Sequence, residues 1–122
     1  FQDLGEWVVE CIGDTRSGAI EGYAFAANGQ ITRIAESTGI LKFLLHQKDI
    51  ALDAYAPTQI KKFATGRGNA RKEDMYAAFI AETKVNLVAT LTTNSKQIKS
   101  PVSDLADAYY ICKYGHHLAC KP

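Results

Sequence analysis

Residues 50–72 read IALDAYAPTQIKKFATGRGNARK. Ile50, Leu52, Ala54 and Ala56 alternate with polar or aromatic neighbours, the period-two pattern of a strand over 50–56. Pro57-Thr58 ends it, because Pro has no N–H to give a ladder and Thr58 can cap a short helix through about Ala64. Gly66-Arg67-Gly68-Asn69 is a loop. A helix follows from about Arg71 to Glu82, with Met75, Ala78 and Phe79 inward.

Working outward, the same alternation of periods recurs. Leu4, Trp7, Val8, Cys11 and Ile12 form one apolar helical face, with Asp3 as its N-cap, and Gly13-Asp14 ends it. The run Ala19-Ile20-Glu21-Gly22-Tyr23-Ala24-Phe25 is short, aromatic and bounded by turn signals, so it reads as a strand. Asn28-Gly29 turns the chain. Ile31, Ile34, Ala35, Thr38, Leu41 and Leu45 predict a helix over about 30–46, in which Gly39 costs about 1 kcal/mol against Ala and suggests close packing. Val85 to Leu91 either extends the preceding helix or forms a strand, and Thr92 to Ser100 reads as a polar loop. Pro101 and Ser103 open a last helix through Tyr114, with Gly115 as its stop. Strands alternating with helices predict an α/β fold with a mostly parallel sheet flanked by helices.

The chain has 122 residues, a length that suits one domain. Hydrophobic residues at 47% and charged residues at 22% exclude a disordered, collagenous or coiled-coil chain. No apolar run reaches the roughly 18 residues of a membrane span, and no cationic-apolar leader is present. Three cysteines are too few for a disulfide scaffold and point to a reducing compartment, the cytoplasm or an organelle matrix. The net charge of +1 hides an asymmetry. Residues 1–60 hold eight acids and four bases, whereas 61–99 hold eight bases and three acids, densest from Lys61 to Lys72. Such a stripe is either a solvated face or a phosphate-binding one.

Two sets of carboxylates bear on that choice. Glu21 sits mid-strand, where Glu is depleted; it either faces solvent or needs a partner or a metal. Asp104 and Asp107 stand at i and i+3 of the last helix and share a face, with Leu105, Ala108, Tyr109 and Cys112 on the other. The helix macrodipole explains Asp104 well and Asp107 less well, because Asp107 lies deeper. A strand carboxylate facing two helix carboxylates is a hard, oxygen-rich set suited to Mg²⁺ or Mn²⁺. Two such ions about 4 Å apart support phosphodiester cleavage, and the basic stretch would hold the phosphate backbone.

Taken in order, these pieces resemble the RuvC family of Holliday-junction resolvases, which have an RNase H-like fold. The resemblance runs over about 4–114. It is carried by Ala19-Ile20-Glu21, Ser37-Thr38-Gly39, Tyr55-Ala56-Pro57-Thr58-Gln59-Ile60-Lys61-Lys62, Thr65-Gly66-Arg67-Gly68-Asn69-Ala70-Arg71-Lys72 and Asp104-Leu105-Ala106-Asp107-Ala108. It implies Glu21, Asp104 and Asp107 as ligands of Mg²⁺ or Mn²⁺, and Lys61 and Lys72 as the lysines beside the cleaved phosphate. It implies Lys62, Arg67, Asn69 and Arg71 as DNA contacts, and a homodimer acting on four-way or branched DNA. The family's base-contacting aromatic falls at Ala24; its neighbours Tyr23 and Phe25 are candidates to substitute for it, or are core. The connection from Lys84 to Ser100 is longer than the family's usual one.

The family opens with a strand carrying an Asp-x-Gly signature, which has no counterpart here: Asp3 stands at a helix start. The resemblance therefore reads 1–122 as the C-terminal two-thirds of one nuclease domain, with roughly fifty residues of N-terminal strands expected ahead of Phe1. The activity it implies is a two-metal junction endonuclease of DNA recombination and repair. The alternatives are a catalytically incomplete junction- or nucleic-acid-binding protein of the same fold, or another RNase H-like nuclease on branched DNA or RNA. Other motifs lead elsewhere or nowhere. Gly66-x-Gly68 lacks the third glycine and preceding strand of a dinucleotide loop. His116, His117 and Cys120 are a possible zinc trio in what reads as a tail. Cys11 and Cys112 read as core thiols, and no cysteine sits in a catalytic constellation.

Overall fold

The structure is a computed structural model that describes residues 2–22, 30–91, 98 and 100–120, with side chains at 5–22, 35–89, 98 and 100–120. Tyr23, Phe25, the Asn28-Gly29 turn and most of the polar loop 92–99 lie outside the described residues. The chain divides into two compact units, 1–56 and 57–122, each taken by itself below.

The first unit contains α1 (Gln2–Ile12), β1 (Ser17–Glu21), α2 (Gln30–Gln47) and β2 (Ala51–Tyr55). β1 and β2 pair in parallel, from Ser17 opposite Ala51 to Glu21 opposite Tyr55. A parallel pair needs a crossover, and α2 supplies the helix of that βαβ unit. The Gly22 N–H donates to the Tyr55 carbonyl at 2.8 Å and continues the ladder past Glu21. α1 packs on α2 through Gly5, where an added Cβ would lie 2.6 Å from the Leu44 side chain. Leu45, 2% exposed, anchors the buried side of α2.

Several expectations for this unit are corrected. Asp3 lies inside α1 rather than capping it, since the helix starts at Gln2. Glu21 is the last residue of β1, not its middle, and is exposed. Trp7 is 60% exposed and Cys11 is exposed, so the apolar spacing of α1 is only partly buried. A Cβ at Gly39 would meet nothing within 4 Å, so close packing is not what places it there.

The second unit is helical: α3 (Pro57–Thr65), α4 (Lys72–Thr83), α5 (Leu87–Leu91) and α6 (Val102–Ala119). α3, α4 and α5 all pack on α6. The shared core is Ile60, Ala70, Met75, Tyr76, Phe79, Val102, Ala106 and Tyr110. Phe79 meets the Tyr109 ring edge-on at 5.3 Å, and Tyr109 meets Tyr110 the same way at 5.1 Å, the edge-to-face geometry that aromatic quadrupoles favour. At the rim, Glu82 of α4 accepts from the Tyr109 hydroxyl and the Lys113 ammonium of α6. The Lys113 bond, then the Tyr109 bond, lowers the Glu82 carboxyl below its usual range, and Tyr109 is pushed up to about 12.

Here too local signals were overridden. Pro57, not Thr58, begins α3; its missing N–H costs nothing in the first turn. α6 runs through Gly115 to Ala119 instead of stopping there. Phe63 of α3 packs against Tyr114 at 5.2 Å and His117 at 5.3 Å, contacts that outweigh the roughly 1 kcal/mol cost of a helical glycine. The buried stripe of α6 is Val102, Ser103, Ala106 and Tyr110; Leu105 is 46% exposed, and Ala108 and Cys112 are exposed. Within the segment 85–91, Leu87–Leu91 forms α5, separate from α4, because Lys84 turns left-handed at φ 62°. Asn86 then caps α5 by accepting from the Ala89 N–H at 3.0 Å, while the Tyr76 hydroxyl donates to Asn86 at 3.2 Å. Among the described residues no helix is long and apolar enough to cross a membrane.

Ala106 is fully buried, so the helices packed on α6 leave no room there for a larger side chain. Ala106→Leu is expected to lower stability by about 1–3 kcal/mol in urea unfolding through overpacking.

Candidate active site

The second unit brings four of the expected residues together. α3 supplies Lys61, the first residue of α4 is Lys72, and the first two turns of α6 supply Asp104 and Asp107. The phase of α6 sets how deep the carboxylates lie. Asp107 follows the fully buried Ala106 at the edge of the stripe and is half-buried, whereas Asp104 is exposed and accepts from the Ser100 hydroxyl.

Burial therefore acts on Asp107 first. It raises the carboxyl above its ordinary value, and the like charge of Asp104 raises it further. Lys61 and then Lys72 pull the other way without cancelling the first two effects. The sum is a carboxylate in the field of two ammonium groups whose neutral form burial still favours. Beside it, Ser103 is 3% exposed and its hydroxyl has no hydrogen-bond partner among the described residues.

The loop between Lys61 and Lys72 is braced at both ends. Gly66 adopts φ +87°, a left-handed conformation that suits glycine, and its N–H closes α3 on the Lys62 carbonyl at 2.8 Å. The Thr65 hydroxyl donates to the Lys61 carbonyl at 2.8 Å and accepts from the Arg67 N–H at 3.2 Å. Gly68 lies against α3, where a Cβ would sit 3.5 Å from the Thr58 carbonyl oxygen. At the far end Asp74 accepts from the Arg71 N–H at 2.9 Å and pairs with the Arg67 guanidinium at 3.0 Å. Lys62, Arg67, Asn69, Arg71 and Lys72 are all exposed, so α3, this loop and the start of α4 carry a fixed basic face. Arg67 shares its charge with Asp74, an assignment the basic count does not reveal.

Glu21 belongs to the other unit, exposed at the end of β1 opposite Tyr55. Among the described residues no group of three or more His, Cys, Asp or Glu side chains gathers as a metal-ligand set. Asp104 and Asp107 do supply a pair of hard oxygen donors. A divalent cation there would offset the like charges of Asp104 and Asp107. The donors present fit a hard cation. The His116, His117 and Cys120 trio is split: Cys120 Sγ lies 3.6 Å from His116 Nε2, whereas His117 rests on Phe63. Cys11, Cys112 and Cys120 are all free and exposed, so the expectation of core thiols at Cys11 and Cys112 is corrected.

Two residues were missed from sequence. Asp74 had a readable signal, an acid three positions after Arg71 at a helix start, the spacing of a capping box without the usual small polar cap. Ser103 had only its i, i+4 relation to Asp107.

The stability consequence has a definite sign. Because the folded-state value of Asp107 is raised, its contribution is fully present below the ordinary aspartate range and is lost as pH rises through the folded value. Asp107→Asn is therefore expected to melt above the parent at pH 7 without divalent cations. The gap should close as the pH falls below the ordinary aspartate range, which calorimetry across pH 3–7 measures.

The sequence model of the family "Crossover junction endodeoxyribonuclease RuvC" matches residues 7–111. A curated relative, the crossover junction endodeoxyribonuclease RuvC of Rhodopirellula baltica, is 27% identical over 89 residues, which cover 73% of this chain. The match spans 44% of that relative's length. The Thermus thermophilus RuvC structure superposes with a TM-score of 0.67 at 16% identity, covering 96% of this chain and 68% of that one. That likeness shows the shared RNase H-like α/β fold. With its family match running from Trp7 into α6, the chain belongs to the RuvC family.

Proposed function

We propose that the protein carrying this chain is a metal-dependent DNA endonuclease that resolves four-way junctions in recombination and repair. The observation that carries the reading is Asp107: half-buried, facing Asp104, and within the field of Lys61 and Lys72 from two other helices. A carboxylate pair beside fixed cations is an arrangement for an anionic substrate and a divalent cation together.

In this reading Asp104 and Asp107 would hold Mg²⁺ or Mn²⁺, and Glu21 keeps the ligand role that the family resemblance implies. When bound there, such a cation would supply water activation and charge stabilisation of the leaving oxygen. Lys61 and Lys72 neutralise the phosphate next to the cut and orient it toward the carboxylates. Lys62, Arg67, Asn69 and Arg71, on the braced loop and its flanking helices, hold the backbone further along. Phosphate contacts of this kind position DNA without reading its sequence. Tyr23 and Phe25, beside the family's aromatic position at Ala24, are candidates for base contact, with a core role as the alternative.

A homodimer follows from the substrate, since paired nicks in like strands of a junction call for two sites related by two-fold symmetry. Residues 1–122 are read as part of one nuclease domain of that protomer. Three exposed free thiols fit a reducing compartment, the cytoplasm or an organelle matrix.

The test is cleavage and binding of synthetic four-way junctions with Mg²⁺ by the full-length protein. Asp107→Asn should bind junctions and fail to cut them; a variant that cuts like the parent would remove the metal assignment. Lys61→Gln and Lys72→Gln should each lower the slope of log affinity against log salt by about one. Unchanged slopes would contradict the phosphate assignment. Competition with duplex and RNA–DNA hybrid separates junction selectivity from a general nuclease.

A further inference from the structure

The far end of α6 sets a thiol beside an imidazole. Because α6 runs past Gly115 to Ala119, His116 and Cys120 stand at i and i+4 on one helical face. That last turn is held twice. Phe63 of α3 packs against Tyr114 and His117, and the Cys120 N–H donates to the His116 carbonyl at 3.0 Å. In this frame Cys120 Sγ lies 3.6 Å from His116 Nε2 and 4.0 Å from Nδ1, and both side chains are exposed. A thiol is a weak donor, so a thiol–imidazole hydrogen bond open to water adds little to the fold. The separation matches something else. A tetrahedral zinc ion, with bonds of about 2.3 Å to sulfur and about 2.0–2.1 Å to nitrogen, sets those two atoms roughly 3.6 Å apart.

We propose that His116 and Cys120 are a two-donor site for a divalent ion of the zinc class, separate from the carboxylates nearer the start of α6. A thiolate with an imidazole suits Zn²⁺ or Co²⁺ and not Mg²⁺, which takes oxygen ligands. Asp107 lies nine residues before His116, roughly 14 Å along the helix axis, so one ion cannot serve both sets. Donors one helical turn apart chelate from a single face, as two histidines at that spacing do in helical zinc sites. Binding needs the thiolate, so the Cys120 proton passes to solvent as the metal–sulfur bond forms. It also needs the lone pair of Nε2, which leaves the imidazole proton on Nδ1. Water takes the two remaining tetrahedral positions, for which the exposure of both side chains leaves room. His117 rests on Phe63 and takes no part.

The experiment titrates the reduced full-length protein with Co²⁺ in excess Mg²⁺ and reads the near-ultraviolet charge-transfer absorption of a cobalt–thiolate bond. The parent should develop that band, and Zn²⁺ should displace the cobalt and abolish it. Cys120→Ser should lose the band. His116→Gln should weaken binding by more than the roughly tenfold loss that follows removal of an outer partner of a metal ligand. Cys112→Ser and Asp107→Asn should bind cobalt as the parent does, which separates this site from the other thiols and from the carboxylate site. Both donors are exposed, so all four variants should melt with the parent in the absence of metal, and added Zn²⁺ should raise the melting temperature of the parent but not that of Cys120→Ser. A parent without the band, a band that survives Cys120→Ser, or a His116→Gln protein that binds as tightly as the parent overturns the inference.

Discussion

The second unit is organised around one conflict, a carboxylate held half out of water beside another carboxylate. Burial and Asp104 push Asp107 toward its neutral form, while Lys61 and Lys72 pull it toward the anion. Folding alone would resolve this by moving Asp107 one position around α6, to solvent. It stays at the edge of the stripe because Ala106 and Tyr110 beside it are committed to the core. A site of this kind sacrifices some stability for a place where positive charge is wanted.

The rest of the unit serves that placement. α3 and α4 must both reach α6 for two lysines to act on one aspartate, and the aromatic cluster of Tyr76, Phe79, Tyr109 and Tyr110 holds α4 there. The connection between the lysines is short and tied by Thr65, Gly66 and Asp74. A basic loop without those ties would pay ordering entropy on meeting a phosphate backbone. A braced one presents Lys62, Asn69 and Arg71 in a fixed frame. Arg67 is the exception, since it must exchange Asp74 for a phosphate to act.

Much of this was legible in sequence, and the parts that were not share a cause. α2, β2 and α4 stand within a few residues of where their periodicity put them. The carboxylates and lysines were singled out as candidates by residue type, order and family resemblance. The phase of α6 was misread because Leu105, Ala108, Tyr109 and Cys112 form as good an apolar face as Val102, Ala106 and Tyr110. Only the helices packed against α6 decide between them. Gly115 looked like a stop for the same reason, as its helix is continued by Phe63, distant in sequence. Asp74 shows only the spacing of a capping box, without its usual small polar cap, and nothing in the sequence marks Ser103 as left without a partner. Local patterns thus placed elements and charges, while tertiary contacts decided which face was buried and which polar atom was left over.

The central claim is that burial favours the neutral form of Asp107 until a divalent cation arrives. Carboxyl carbon NMR of Asp107 across pH, with and without Mg²⁺, reads this directly. The account predicts a titration above the ordinary aspartate range in metal-free protein that moves down when Mg²⁺ is added. A titration at or below the ordinary range, unmoved by Mg²⁺, would contradict it.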